Sequence, residues 1–281
     1  MKALQGKVAV VTGAASGLGR AMALAFAGEG MHVALADVDE ANLARVADEV
    51  RARGVRTHAR RVDVSRGEQL EALAQSTVAE LGGAHVVCNN AGVSPLGAAW
   101  ENTVADWQWT LGVNLWGVIH GVRAFAPRLL AQDEGHFVNT ASVAGLISPP
   151  GMGAYNVSKH AVVALSESLY HDLAERGSRV GVSVLCPAYV PTAISDSERN
   201  RPAELANPRK EKSAEQLAKE AMLRKAVQSG KISAEEVAQA VVAAVKDERF
   251  YVLTHARIKP AIRARMEDIL EERAPRNPLA L

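Results

Sequence analysis

"KVAVVTGAASGLGRAMALAF", residues 7 to 26, decides the fold. The run 7–13 is apolar at nearly every position, as in a strand buried on both faces, and residues 17 to 29 carry apolar side chains at helical spacing. The same alternation recurs down the chain. "HVALAD" (32–37) reads as a strand and 40–53 as a helix; "THARRVDV" (57–64), "AHVVCNNAG" (84–92), "GHFVNTASV" (135–143) and "VGVSVLCPAYV" (180–190) read as further strands separated by helices. Apolar strands divided by helices imply an α/β fold, a doubly wound parallel sheet covered on both faces. Ser65 with Glu68 and Ser233 with Glu236 have the spacing of capping boxes and predict helix starts. After "CPAYVPT" the pattern breaks. Residues 193–230 are polar, hold Pro202 and Pro208, and are expected to form a partly helical lid; a helix from Ser233, a short strand "FYVLT" and a last helix over 257–273 follow. No second domain is expected within 1–281.

Composition narrows the function. Lys+Arg 32 against Asp+Glu 31 leaves a net charge of +1, so no global field recruits nucleic acid or an anionic membrane. Small molecules or copies of the same chain are the expected partners. No apolar run approaches the roughly 18 residues of a membrane span, and the first residues lack the layout of a signal peptide, so a cytoplasmic location is expected. Cys88 and Cys186 sit in apolar strand runs and read as buried small hydrophobes. The eight histidines are scattered without metal-site spacing, and no metal is expected.

The glycine-rich turn "TGAASGLG" (12–19) joins the first strand to the first helix. Gly13, Gly17 and Gly19 permit positive φ, close approach of backbone to a pyrophosphate and tight helix packing, with Ser16 and Leu18 between them at a helix N-terminus whose N–H groups are free. Asp37 closes the second strand about 20 residues on, where a carboxylate can accept hydrogen bonds from a ribose diol and repel a 2′-phosphate. That favours NAD(H) over NADP(H). Asp63 and Val64 end the third strand beside an adenine position, and Asn90, Ala91 and Gly92 end the fourth, where small and amide residues suit backbone lying along a cofactor.

"GAYNVSKHAVVALSESLYHDL" (153–173) predicts an amphipathic helix with Val157, Ala161, Val162, Leu165, Leu169 and Leu173 inward. Its first turns carry Tyr155 and Lys159 on one face. A phenol of pKa ~10 is too weak a base near neutrality; an ammonium ~5 Å away at an effective dielectric of ~20 would stabilise the phenolate by roughly 3 kcal/mol. Tyr155 can then exchange a proton with a substrate oxygen held by Ser142, and Lys159 can bond the nicotinamide ribose. His160 points about 100° away, and His171 with Asp172 reads as a surface pair.

In its motifs and their order, the chain resembles the short-chain dehydrogenase/reductase family, Rossmann-type NAD(P)-dependent oxidoreductases. The resemblance rests on "TGAASGLG", "DV" at 63–64, "NNAG", Asn114 in "GVNLWG", Ser142, "YNVSK" and "CPAYVPT". It implies that Asn114 helps hold a water linking Lys159 to solvent. It also implies that Pro187, Val190 and Thr192 contact the nicotinamide carboxamide, and that the chain forms a homodimer or homotetramer. Ala188 departs from the family's usual glycine and sets a methyl group beside the expected nicotinamide position. Ser94 to Leu96, Val143 to Met152, Ala188 and Tyr189 with the lid are the expected substrate walls. A looser resemblance to bacterial dehydrogenases of benzylic alcohols points to a bulky or aromatic secondary alcohol or ketone. Arg199, Arg201, Arg209, Lys210 and Lys212 leave an acyl-thioester ketoreductase as the alternative. A dinucleotide-binding sensor without turnover would have no use for Tyr155 and Lys159 together.

Overall fold

A computed structural model describes residues 1–208 and 214–280. Seven strands, β1 (Val8–Thr12), β2 (His32–Asp37), β3 (Thr57–Arg61), β4 (Val86–Asn89), β5 (His136–Thr140), β6 (Gly181–Leu185) and β7 (Tyr251–Val252), pair in parallel in the order β3-β2-β1-β4-β5-β6-β7. The chain leaves β1 outward to β3 and returns to β4. That reversal opens a crevice beyond the C-terminal ends of β1 and β4, where open α/β sheets bind ligands.

Helices α1 (Gly17–Gly28), α2 (Glu40–Arg51), α3 (Gly67–Leu81), α4 (Val104–Leu111), α5 (Gly117–Gln132), α6 (Gly153–Glu175), α7 (Ala214–Gln228), α8 (Ala234–Asp247) and α9 (Lys259–Leu270) complete the chain, with a π-helical turn over Gly112–Trp116 joining α4 to α5. Strand alternation divides the core. Ala9 and Val11 of β1 pack with α1, α2 and α8, while Val8 and Val10 pack with α3, α5 and the end of α6. Each such fully buried valine contributes about 1.5–3 kcal/mol.

Local sequence chemistry sets several boundaries. The Ser233–Glu236 capping box forms in both directions at α8. The Ser65–Glu68 box does not: the Ser65 hydroxyl and N–H both donate to Asp63 Oδ1 at 2.7 and 2.9 Å, and α3 begins two residues later. β3 stops at Arg61 because it is an edge strand whose end turns Arg60 and Arg61 to solvent. The segment after Thr192 forms 3₁₀ turns at Ala193–Asn200 and Ala203–Leu205 before α7; Arg209, Lys210 and Lys212 lie outside the described residues.

Helix α6 keeps most of the face its apolar spacing predicts, with Val162 and Leu173 buried and Leu165 and Leu169 packed partly buried against the core, and departs from it at its start. Val157 is 49% exposed, and the buried face is Ala154, Ser158, Lys159, Val162, Val163, Ser166 and Leu173. Three polar groups turn inward because each finds a partner: Lys159 Nζ donates to the Thr140 carbonyl, Ser158 to Tyr155, and Ser166 to Val162 while accepting from Asn139.

Candidate active site

The glycine turn is shaped by contact with the end of β4. Gly13 has φ +66°, and a Cβ there would lie 2.8 Å from Ala91 Cα; a Cβ on Gly19 would lie 2.0 Å from the Gly13 carbonyl oxygen. Thr12 Oγ1 accepts the N–H groups of Asn90 and Ala91 at 2.9 and 3.1 Å, and Asn90 Nδ2 donates to the Thr12 carbonyl. Ser16 precedes α1 without capping it, and the first turn holds no acid, so the helix N-terminus is open to an anion. Asp37 Oδ2 accepts from Ala15 N–H and Oδ1 from Asp39 N–H, fixing the carboxylate at the rim. The cradle fits a dinucleotide. Its glycines leave room only for backbone, its helix end suits a pyrophosphate, and Asp37 suits a ribose.

A cleft of about 840 Å³ runs from this turn to the end of β5. Gly13, Ser16, Gly17, Leu18 and Gly19 line one end with Asp37, Asp63 and Val64. Asn90, Ala91 and Gly92 form its floor; Pro187, Val190 and Thr192 line its wall. At the other end stand Ser94, Ser142, Met152, Tyr155, Lys159, Ala188 and Tyr189. Asn114 lies behind the cleft, fully buried. Its Oδ1 accepts Val93 N–H at 2.8 Å and its Nδ2 donates to the Val93 carbonyl and Ser158 Oγ. The π-turn that carries it makes this inward aim possible.

Ser142 follows β5. Its hydroxyl donates to the Pro187 carbonyl at 3.4 Å and accepts Ala144 N–H at 3.1 Å. Lys159 Nζ lies 5.6 Å from the centre of the Tyr155 ring. The electrostatics depart from the expected lowering of Tyr155. Burial pushes the Tyr155 phenol above its ordinary range, with the Ser142 hydroxyl working against that shift, and burial lowers the Lys159 ammonium to about 8. Desolvation of each group is the leading cause of both shifts. Ala188 is not among the positive-φ residues, so its methyl group strains no backbone.

Two lining residues carry no local sequence signal, and two of the expected lid cations are spent internally. Trp109 and Gln108 of α4 wall the substrate end. Arg201 is spent internally, on Asp106 and Glu198, with its guanidinium 4.3 Å from the Trp109 ring centre. Arg199 donates to the carbonyls of Ala193 and Asp196. Arg61 borders the adenosine end, paired in register with Asp37. These groups are brought together only by the tertiary fold.

A family profile described as short chain dehydrogenase matches residues 7–203. The chain belongs to the short-chain dehydrogenase family. Members of this family are oxidoreductases, and the chain is similar throughout to a short-chain dehydrogenase/reductase from Burkholderia phymatum solved in complex with NAD: 52% identity, TM-score 0.96, all of both chains covered. It is 38% identical to the 1-deoxy-11-beta-hydroxypentalenate dehydrogenase of Streptomyces exfoliatus over 95% of this chain and 89% of that protein. It is 30% identical to the "CLA biosynthesis dehydrogenase/reductase" of Lactiplantibacillus plantarum over 98% and 97%. Among the described residues no helix is long and apolar enough to cross a membrane.

Proposed function

We propose that this short-chain dehydrogenase is an NAD(H)-preferring oxidoreductase acting on a bulky, apolar secondary alcohol or ketone, with Tyr155 as acid and base. The observation that carries the reading is the convergence of Ser142, Tyr155 and Lys159 on a cleft continuous with the glycine turn and Asp37. A bound nicotinamide supplies the acceptor or donor of the hydride at the carbinol or carbonyl carbon, and its oxidised form adds positive charge that favours phenolate. Tyr155 takes the hydroxyl proton in oxidation and returns it in reduction. Ser142 orients the substrate oxygen. Lys159, held by Thr140, keeps a positive charge beside the phenol below about pH 8.

Asp37 supports the NAD(H) preference, since its carboxylate faces the adenosine end of the cleft. The B. phymatum relative was solved with NAD, and the S. exfoliatus relative is named for a hydroxylated substrate. The segment 193–205, with Trp109 opposite, acts as the lid of the bulky substrate. An acidic thioester is disfavoured because Arg201 is already paired with Asp106 and Glu198. The test is oxidation of NADH and NADPH by the purified protein with aryl ketones, cyclic terpenoid ketones, aliphatic ketones and acetoacetyl thioesters. Turnover with NADH and a bulky ketone, lost in Tyr155→Phe, is expected; turnover with the thioester alone would overturn the substrate class.

A further inference from the structure

His255 lies in the tail beyond β7, 67 residues from the segment it touches. Its Nδ1 accepts the Ala188 N–H at 3.3 Å, and Thr254 Oγ1 lies 2.8 Å from the same nitrogen. We propose that His255 is a positioning residue that fixes the backbone of the nicotinamide wall, Pro187 to Val190, through this bond. The inference rests on the dinucleotide reading above.

The geometry gives the bond a reach beyond Ala188. The preceding carbonyl, that of Pro187, accepts both Val143 N–H at 2.9 Å and the Ser142 hydroxyl. The peptide joining Pro187 to Ala188 is therefore held at both ends, by the turn after β5 on its oxygen and by His255 on its nitrogen. Rotating that peptide would move the acceptor of the Ser142 hydroxyl and the wall against which a nicotinamide packs. A peptide plane has no softer way to turn than through its flanking φ and ψ, and His255 blocks one of those motions.

The imidazole is suited to this task in its neutral form. Two donors converge on Nδ1, so the ring proton belongs on Nε2, an assignment made from the hydrogen-bond pattern. Burial lowers the His255 pKa, which keeps Nδ1 an acceptor near neutrality. The ring also meets the Tyr189 backbone, a contact that works against the lowering by burial without cancelling it. The rest of the wall is supported independently. Gly230 backs Tyr189, where a Cβ would lie 2.3 Å from the Tyr189 carbonyl oxygen, and Gln228 Nε2 donates to the Thr192 carbonyl at 3.4 Å. Losing the His255 bond should therefore loosen the peptide at 187–188 without unfolding the segment.

The experiment compares NADH with ADP-ribose, which lacks the nicotinamide, binding to the full chain and to His255→Gln and His255→Asn. The Asn amide oxygen can take the place of Nδ1, while the Gln amide falls nearer Nε2. NADH is titrated by its fluorescence, ADP-ribose by displacement, and thermal unfolding is followed for each variant. His255→Gln is expected to weaken NADH about five- to tenfold, the loss of one hydrogen bond, while ADP-ribose changes less than about twofold; His255→Asn is expected to restore NADH. Should Gln prevent folding, His255→Leu takes its place with the same expectation. Unchanged NADH affinity, an equal loss for both ligands, or no advantage of Asn over Gln would overturn the role. If the wild-type chain binds neither ligand, the dinucleotide reading falls and this inference with it.

Discussion

The Arg201 guanidinium meets the Asp106 carboxylate at 2.6 Å, with side chains only 5% and 11% exposed. Asp106 also accepts from Asn207 Nδ2 and closes the Thr103 capping box of α4. Burial alone would raise the Asp106 pKa, yet bonds from Arg201, Thr103 and Asn207 hold it below the usual carboxylate range. One carboxylate thus starts a helix and anchors residues 201–207 on it.

Removing the guanidinium leaves that carboxylate buried with a poorer partner set. Arg201→Ala is expected to destabilise the protein by about 3 kcal/mol and to raise substrate KM at least about fivefold while NADH affinity holds. Urea unfolding and a cofactor titration check the two halves. Unchanged stability would mean that the pair contributes no more than an exposed one.

Tyr155→Phe removes the exchangeable proton and is expected to lower turnover by about 10²–10⁴-fold while leaving NADH affinity within about threefold. Because burial raises the phenol's pKa, alcohol oxidation by the wild type should speed up as pH rises from 7 towards 9. A flat rate profile over that range, measured at saturating cofactor, would remove Tyr155 from the role of base.

Asp37→Ala is expected to weaken NADH binding about tenfold and to improve use of NADPH relative to NADH, with Arg61 next to it in the sheet available to a 2′-phosphate. Asp37 also accepts Ala15 N–H, so some thermal stability goes with it. Relative kcat/KM for the two cofactors is the measurement, and an unaltered ratio would count against the ribose contact.

His136 predicts the acid limb of stability. It is 1% exposed, bonded to Ser183 at 2.8 Å, and burial lowers its pKa from 6.5 to about 4. The unfolded chain therefore binds a proton that the folded chain refuses between those values. Stability is fully present above about pH 6.5 and falls as pH drops towards about 4, by up to about 3 kcal/mol in all. Urea unfolding at pH 7 and pH 5 should show this slope, and His136→Gln should flatten it.

Much of the sheet is legible in the sequence because its strands are buried on both faces, and a buried parallel strand announces itself as an unbroken apolar run. The pattern overruns β3, since Val62 and Val64 continue it past the point where the edge strand ends. The polar part of the inward face of α6 is hidden for a different reason. Apolar spacing cannot reveal that Ser158, Lys159 and Ser166 find buried partners on the neighbouring turn and strand. The residues that the motifs single out for catalysis and cofactor binding all line the cleft except Asn114, which sits behind. Trp109 and His255 are invisible in the sequence because nothing within a few residues of each marks it, and Arg201, visible there only as one of a run of lid cations, gives no sign of its pairing with Asp106; only the closure of the chain brings them to the site.

The π-turn at Gly112–Trp116 stores one residue more than a regular helix would need over that span. A substitution scan across these five positions would register side chains and overlook the insertion itself. Deleting a single residue there would let α4 and α5 run on as one ordinary helix, while turning Trp109 and Asp106 about 100° relative to Asn89's neighbour Gly121 on the far side. Beyond Asn114 itself, what inheritance must preserve here is a length of chain, so shortened genes should fail where point variants at the other four positions survive.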